Sequence, residues 1–149
     1  MLQVPGLDFR LRIAVTFDAP CVVSDTRRIL HVAEDTFEGP TLSGSVLPGG
    51  GDWLQARLEG STELDIRFAL RTVEGESIYL RASGLFATSD AVTARIRGGE
   101  DVPPDAYYFR TAILFETGAV RLAHLNSTLH IGVGQRRPDG MVTDIFALS

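Results

Sequence analysis

Apolar and polar residues alternate with a period of two through most of this chain. Phe9, Leu11, Ile13, Val15 and Phe17 alternate with Arg10, Arg12, Ala14 and Thr16. Leu64, Ile66, Phe68 and Leu70 alternate with Asp65, Arg67, Ala69 and Arg71, and Tyr107 to Phe115 repeats the pattern. A strand sends successive side chains to opposite faces, so this alternation predicts β-strands with one buried face. Turn signals punctuate the runs at Glu59-Gly60-Ser61, Glu74-Gly75-Glu76, Gly98-Gly99, Thr117-Gly118 and Asp139-Gly140. The pattern predicts strands near 7–17, 27–33, 41–47, 53–58, 63–73, 77–86, 107–115, 119–125, 128–136 and 141–148. No window longer than ten residues has helical spacing, and a short helix or turn is predicted only at Thr88–Val92.

Many short strands with tight turns predict an all-β antiparallel barrel or a sandwich. A barrel removes edge strands and leaves a mouth for a ligand. At 149 residues the chain is expected to form one domain, 1–149. The acidic, proline-bearing segment 97–106 is its best long loop. It is either a lid over the mouth or a solvated connector.

Composition removes several chemistries. All 14 basic side chains are arginine, so a lysine Schiff base, a phosphate-loop lysine and a serine–lysine dyad are excluded. A net charge of −5 argues against nucleic acid and against an anionic membrane surface. The single cysteine, Cys21, allows no intrachain disulfide and is expected to be a buried structural thiol. Three dispersed histidines show no metal-ligand spacing, and no cofactor fingerprint is present, so no metal and no cofactor are expected. The N-terminus lacks a signal-peptide pattern and no apolar run suits a membrane helix, so the expected compartment is the cytoplasm.

The segment FEGPTLSGSVLPGGGDW, Phe37–Trp53, is the most unusual in the chain. Glycine serves where the backbone must bend sharply or approach another group closely. A glycine run ending in Asp52 and the only tryptophan, Trp53, is read as the rim of a small-molecule site. Asp52 beside an indole is a candidate acid or base with a raised pKa. The alternative is a turn whose carboxylate bonds nearby backbone N–H groups. Tyr108 and Arg110 share one strand face and suit a carboxylate or enolate oxygen, or else form a surface pair. His124 and Asn126 are likewise two apart. The histidine is a candidate proton carrier near neutral pH, or a structural residue bonding a carbonyl.

Four segments together resemble a family known as domain of unknown function 3237: FEGPTLSGSVLPGGGDW (37–53), ELDIRFALRT (63–72), YYFRTAILFET (107–117) and HLNSTLHIGVGQR (124–136). The resemblance implies a calycin-like, lipocalin-like barrel with a central pocket, and a homodimer. It also favours Arg67, from the LDxR part of the motif, as a lumen residue. Asp65, Arg67 and Arg71 share one strand face, and the alternative is a solvated exterior with surface ion pairs. The chain departs from the family pattern at Glu34-Asp35, at Glu74-Gly75 and at His124, which stands where the family carries an aromatic residue.

Function is therefore expected to be the binding of a small organic, anionic or aromatic molecule. One reading adds cofactor-free acid–base chemistry, as a lyase, isomerase or hydrolase. Asp52 and His124 then move the proton, and Trp53, Arg67, Tyr108, Arg110 and Asn126 hold the ligand. The alternatives are a non-catalytic binding protein and an interaction barrel with no ligand.

Overall fold

The computed structural model describes all 149 residues. Eleven strands form one sheet: β1 (Leu7–Thr16), β2 (Cys21–Val22), β3 (Arg27–His31), β4 (Asp35–Glu38), β5 (Ser43–Val46), β6 (Gly51–Ala56), β7 (Thr62–Thr72), β8 (Ser77–Ala87), β9 (Tyr108–Glu116), β10 (His130–Arg137) and β11 (Gly140–Leu148). All the pairings are antiparallel, and pairing of β7 with β8 closes the sheet on itself. The ring runs β1, β4, β5, β7, β8, β9, β10, β11, a closed eight-stranded barrel. β3 and β6 continue β4 and β5 past a bend, so each pair acts as one long strand. No helix is long and apolar enough to cross a membrane.

The glycine run makes that bend. Val46 pairs with Leu70 and Gly51 with Arg67, so Leu47 to Gly50 stand opposite only Phe68 and Ala69. Two extra residues must bulge, and bulges sharpen strand curvature. Gly49 takes φ +105°, which other residues rarely adopt. Gly50 is pressed against β7, where a Cβ would run into the Arg67 carbonyl and the Phe68 side chain. The glycines are thus explained by a corner in the barrel wall, and the expected pocket rim is not where they lead.

The lumen is packed by the inward faces of the strands. Leu11, Ile13, Val15, Ile66, Phe68, Leu70, Leu80, Ile113 and Ile145 are all buried. At mid-barrel a gap of about 10 Å³ remains among Ile13, Phe68, Thr111, Met141 and their neighbours, too little to hold a water with ease. At mid-barrel, then, side chains fill the lumen. Gly134 supplies part of the fit, since a Cβ there would lie 2.5 Å from the Phe109 ring.

Three sequence expectations change. Residues 119–125 do not form a strand: Val120–Ser127 is a 3₁₀ segment that buries Leu122 and Leu125, three residues apart. That spacing matches the three-residue turn of such a helix. The short helix is longer than expected, α1 at Asp90–Arg97, and Ser89 caps it by accepting from the Val92 N–H at 3.2 Å. Cys21 is exposed rather than buried.

Overpacking a tight corner costs about 1–3 kcal/mol. Gly50→Ala is expected to lower the melting temperature by several degrees. Gly118→Ala, which meets nothing within 4 Å, is expected to leave it within about a degree. Thermal unfolding of both variants checks this.

Candidate functional site at one barrel mouth

The packing runs out at one end of the barrel. There a cavity of about 180 Å³ opens among the ends of β3, β6, β7, β8, β9 and β10. Leu54, Leu64, Phe86 and Phe109 form its apolar wall, and Thr93, Ile96 and Arg97 reach in from α1. The start of the 97–106 loop thus stands over the mouth, and Val102 anchors that loop at 1% exposure.

Three arginines line this cavity: Arg28 from β3, the exposed Arg97 from α1 and Arg136 from β10. The only carboxylate in the lining is Asp25. Ion pairs elsewhere engage Arg12, Arg57, Arg67, Arg95 and Arg121. The three mouth arginines have no such partner. Arg136 reaches the lumen because β10 turns His130, Gly132, Gly134 and itself inward. Its backbone N–H donates to the Tyr107 hydroxyl at 2.7 Å, and the Tyr107 ring stacks against Phe86 with centroids 5.2 Å apart. Burial pulls Arg136 below the ordinary guanidinium range, while Asp52 and Tyr107 oppose that shift. A guanidinium stays charged through such a change.

Asp52 lies one layer deeper, 1% exposed. It pairs in the ladder with Leu30 of β3 and Ile66 of β7, so its side chain shares their inward face. Between the pairs Asp52–Ile66 and Gln55–Glu63 the β6–β7 ladder is interrupted. The Asp65 N–H there donates to Asp52 Oδ1 at 3.2 Å. Oδ2 is the one buried side-chain polar atom in the chain without a partner. Burial raises the Asp52 pKa to about 7, against the opposing pull of Arg136 and of the Asp65 N–H.

The other sequence candidates lie elsewhere. Trp53 follows Asp52 and therefore faces outward, half-buried, in an open groove with Gln55, Arg57, Glu63 and Asp65. Arg67 is exposed and pairs with Asp65 at 3.3 Å. The solvated-exterior reading of that face holds, because the apolar face of β7 fills the lumen. Tyr108 and Arg110 are also outward, with the guanidinium 5.4 Å from the Tyr108 ring centroid. His124 and Asn126 belong to the 3₁₀ segment at the opposite barrel end. His124 is exposed, and its carbonyl accepts from the Thr128 hydroxyl at 2.9 Å. The Asn126 amide ties Thr117, accepting from its N–H at 2.8 Å and donating to its carbonyl at 2.9 Å. His124 and Asp52 therefore share no cavity, and acid–base chemistry by the two together is ruled out by position.

Arg28, Arg97 and Arg136 were missed by sequence reasoning. For Arg136 a signal existed: it has the same parity as Gly132 and Gly134, whose small size marks a crowded inner face. No group of three histidine, cysteine, aspartate or glutamate side chains converges anywhere in the fold.

The buried carboxylate makes a pH-dependent prediction. A raised folded-state pKa favours the fold while the group is protonated and penalises it once ionised. This term is full below about pH 4 and is lost as pH rises to about 7. Asp52→Asn, which removes the charge, is expected to gain stability relative to the parent across that range. The gain levels off above pH 7 at no more than about 4 kcal/mol. Denaturant unfolding at pH 5 and pH 8 checks the widening.

Comparison with known proteins places this geometry in a family. A curated relative, a UPF0311 protein of Clostridium acetobutylicum, is 29% identical over 142 residues, covering 92% of this chain and 90% of its own. The crystal structure of a conserved protein of unknown function from Rhodopseudomonas palustris superposes with a TM-score of 0.94 at 27% identity, each chain fully covered. A beta-barrel like protein from Acinetobacter baumannii gives 0.83 at 30% identity, covering 100% of this chain and 99% of its own. An enzyme from Penicillium herquei gives 0.74 at 16% identity, covering 100% and 98%, a likeness of fold alone. The model of the family described as protein of unknown function DUF3237 matches residues 5–148, and the chain belongs to that family.

Proposed function

We propose that this barrel binds a small organic anion with an apolar, ring-sized body at the arginine-lined mouth. The observation that carries the reading is three arginines without ion-pair partners in the lining of an apolar-walled cavity. Unpaired cations at a concave site favour an anionic guest, and an apolar wall favours a guest with little further polarity. A cavity of about 150 Å³ lined by leucine, isoleucine and phenylalanine holds a benzene molecule. The mouth cavity, at about 180 Å³, suits one ring bearing a carboxylate or a similar anionic group. Arg136 is the deepest of the three cations and takes the anionic oxygens. Phe86 and Phe109 take the ring.

Non-catalytic binding moves ahead of acid–base catalysis in this reading. His124 has left the site, and Asp52 Oδ2 is sealed from solvent, so no proton carrier touches the cavity as it stands. Two further expectations belong to the same proposal. An exposed free thiol at Cys21 suits a reducing compartment such as the cytoplasm. A second copy of the chain suits the outer face of β1, β11, β10 and β9. There Phe9 packs edge-on to Phe146, with centroids 5.8 Å apart. Leu7, Leu114 and Leu129 on the same wall are at least two-fifths exposed.

Benzoate titrated into the protein is expected to saturate, with Phe86 and Phe109 ring resonances shifting. Arg136→Gln is expected to weaken it about 10–100-fold, the worth of one charge-assisted contact. Arg110→Gln on the outer wall is expected to leave it unchanged. Trp53 faces outward, so its fluorescence is not the right reporter. For the dimer, light scattering is expected to give about twice the 16.2 kDa chain mass. Phe9→Glu is expected to return it to one chain mass, and a wild-type reading near 16.2 kDa counts against the dimer.

A further inference from the structure

Asp52 is the one buried ionisable group whose environment is left unfinished. It has a free oxygen, no solvent, and a cation, Arg136, that it shares with the mouth cavity. The inference that follows rests on the anion-binding reading above and extends it to the charge state of the site.

We propose that binding of an anion at the mouth is coupled to uptake of one proton by Asp52, so that Asp52 sets how much negative charge the site accepts. Arg136 faces two negative partners, the buried carboxylate below it and the guest above. While the cavity is empty, its field favours the ionised carboxylate. A guest anion bound to Arg136 cancels that field and adds a like charge in a water-poor setting. Both effects favour the neutral acid. The proton comes from solvent and leaves to solvent on release, so no other reactant is involved.

The groups that face Asp52 support this. From β10 the Arg136 guanidinium draws the proton off, and from β7 the Asp65 carboxylate pushes it on. From β3 the paired residue is Leu30, which carries no charge. The next cation on that strand, Arg28, lies in the cavity lining. From the residue just before β9 the Tyr107 hydroxyl is held by the Arg136 N–H. Asp52, buried, with an unpartnered oxygen and at about 7 when the cavity is empty, is the group that changes. His130, a buried histidine, belongs to the opposite barrel end. Its ring nitrogen lies 3.1 Å from the Thr128 carbonyl.

The linkage has a fixed sign. Below the pKa of the empty site Asp52 is already neutral, and binding exchanges no proton. Above that pKa binding takes up as much as one proton, and affinity falls about tenfold per pH unit until the pKa of the occupied site is passed. The experiment uses benzoate and benzenesulfonate, neither of which titrates near neutrality. Heats of binding are measured at pH 8 in two buffers of different ionisation enthalpy, for the parent and for Asp52→Asn. The expected result is uptake approaching one proton per benzoate in the parent and none in Asp52→Asn, whose affinity stays flat from pH 6 to pH 9. Binding without proton uptake in the parent, or uptake that survives in Asp52→Asn, overturns the coupling and leaves the anion site standing. Failure of both anions to bind the parent saturably overturns the site reading and the coupling with it. Should Asp52→Asn not fold, the Asp52 carboxyl carbon is titrated by nuclear magnetic resonance in the parent. Its midpoint is expected to rise on adding benzoate, and an unmoved midpoint overturns the coupling.

Discussion

An eight-stranded barrel encloses little more room than its own side chains need, and that limit governs this molecule. The inner faces of β1, β7, β8 and β9 supply mainly leucine, isoleucine, valine and phenylalanine, and β11 adds Met141, Thr143 and Ile145. β10 gives way to them with glycine at 132 and 134. A foreign molecule therefore has no place at mid-barrel. It can be held only where strands end and the wall is completed by something smaller than a large apolar side chain. One end is stoppered by the 3₁₀ segment through Leu122 and Leu125. The other is covered only in part, by α1, which buries none of its own residues.

The same limit decides where charge goes. Ion pairs such as Arg12–Asp144 and the Arg121 cluster with Glu74 and Glu76 sit on the outside, where each contributes about 0–1 kcal/mol. Inside, the two deeply buried titratable groups differ in kind. His130 stands edge-on to Phe115 at 4.9 Å, and its ring nitrogen has a carbonyl partner. Burial lowers its pKa and keeps it neutral, so it behaves as a structural residue. Asp52 has one 3.2 Å bond and an oxygen with nothing to accept from. A group left unsatisfied in a core so closely filled elsewhere is an exception that calls for a reason, and the proposed anion site supplies one.

Period-two alternation was enough to read β1, β7 and β9, whose inner faces are mainly apolar, but on β10 it pointed the wrong way, since Ile131 and Val133 face outward and His130, Gly132, Gly134 and Arg136 face in. It also held the answer for Arg67. Leu64, Ile66, Phe68 and Leu70 form the apolar face, so Arg67 had to be outside, and only the family motif pulled it inward. Trp53 was misplaced for a related reason. The glycine run was read as lining a ligand when it relieves a two-residue mismatch against β7, and once Asp52 points in, its neighbour must point out. His124 fell in a stretch where Leu122 and Leu125 are spaced by three, a period too short to register over eight residues. Arg28 and Arg97 were out of reach of any local pattern, since the cavity joins elements about 70 residues apart in sequence.

The absence of lysine bears directly on the mouth. A lysine at position 136, half-buried above a carboxylate, would lose its proton readily under the desolvation that burial imposes. The pair could then settle as two neutral groups. A guanidinium keeps its charge under the same burial and also offers a planar fork to an anion. With arginine at 136 the cation is fixed, and any proton that moves in response to a guest must move on Asp52. The bulge that turns Asp52 inward and the glycine-lightened strand that carries Arg136 to the mouth thus form one arrangement. A permanent positive charge stands between an apolar, ring-sized opening and a carboxylate held near the midpoint of its titration.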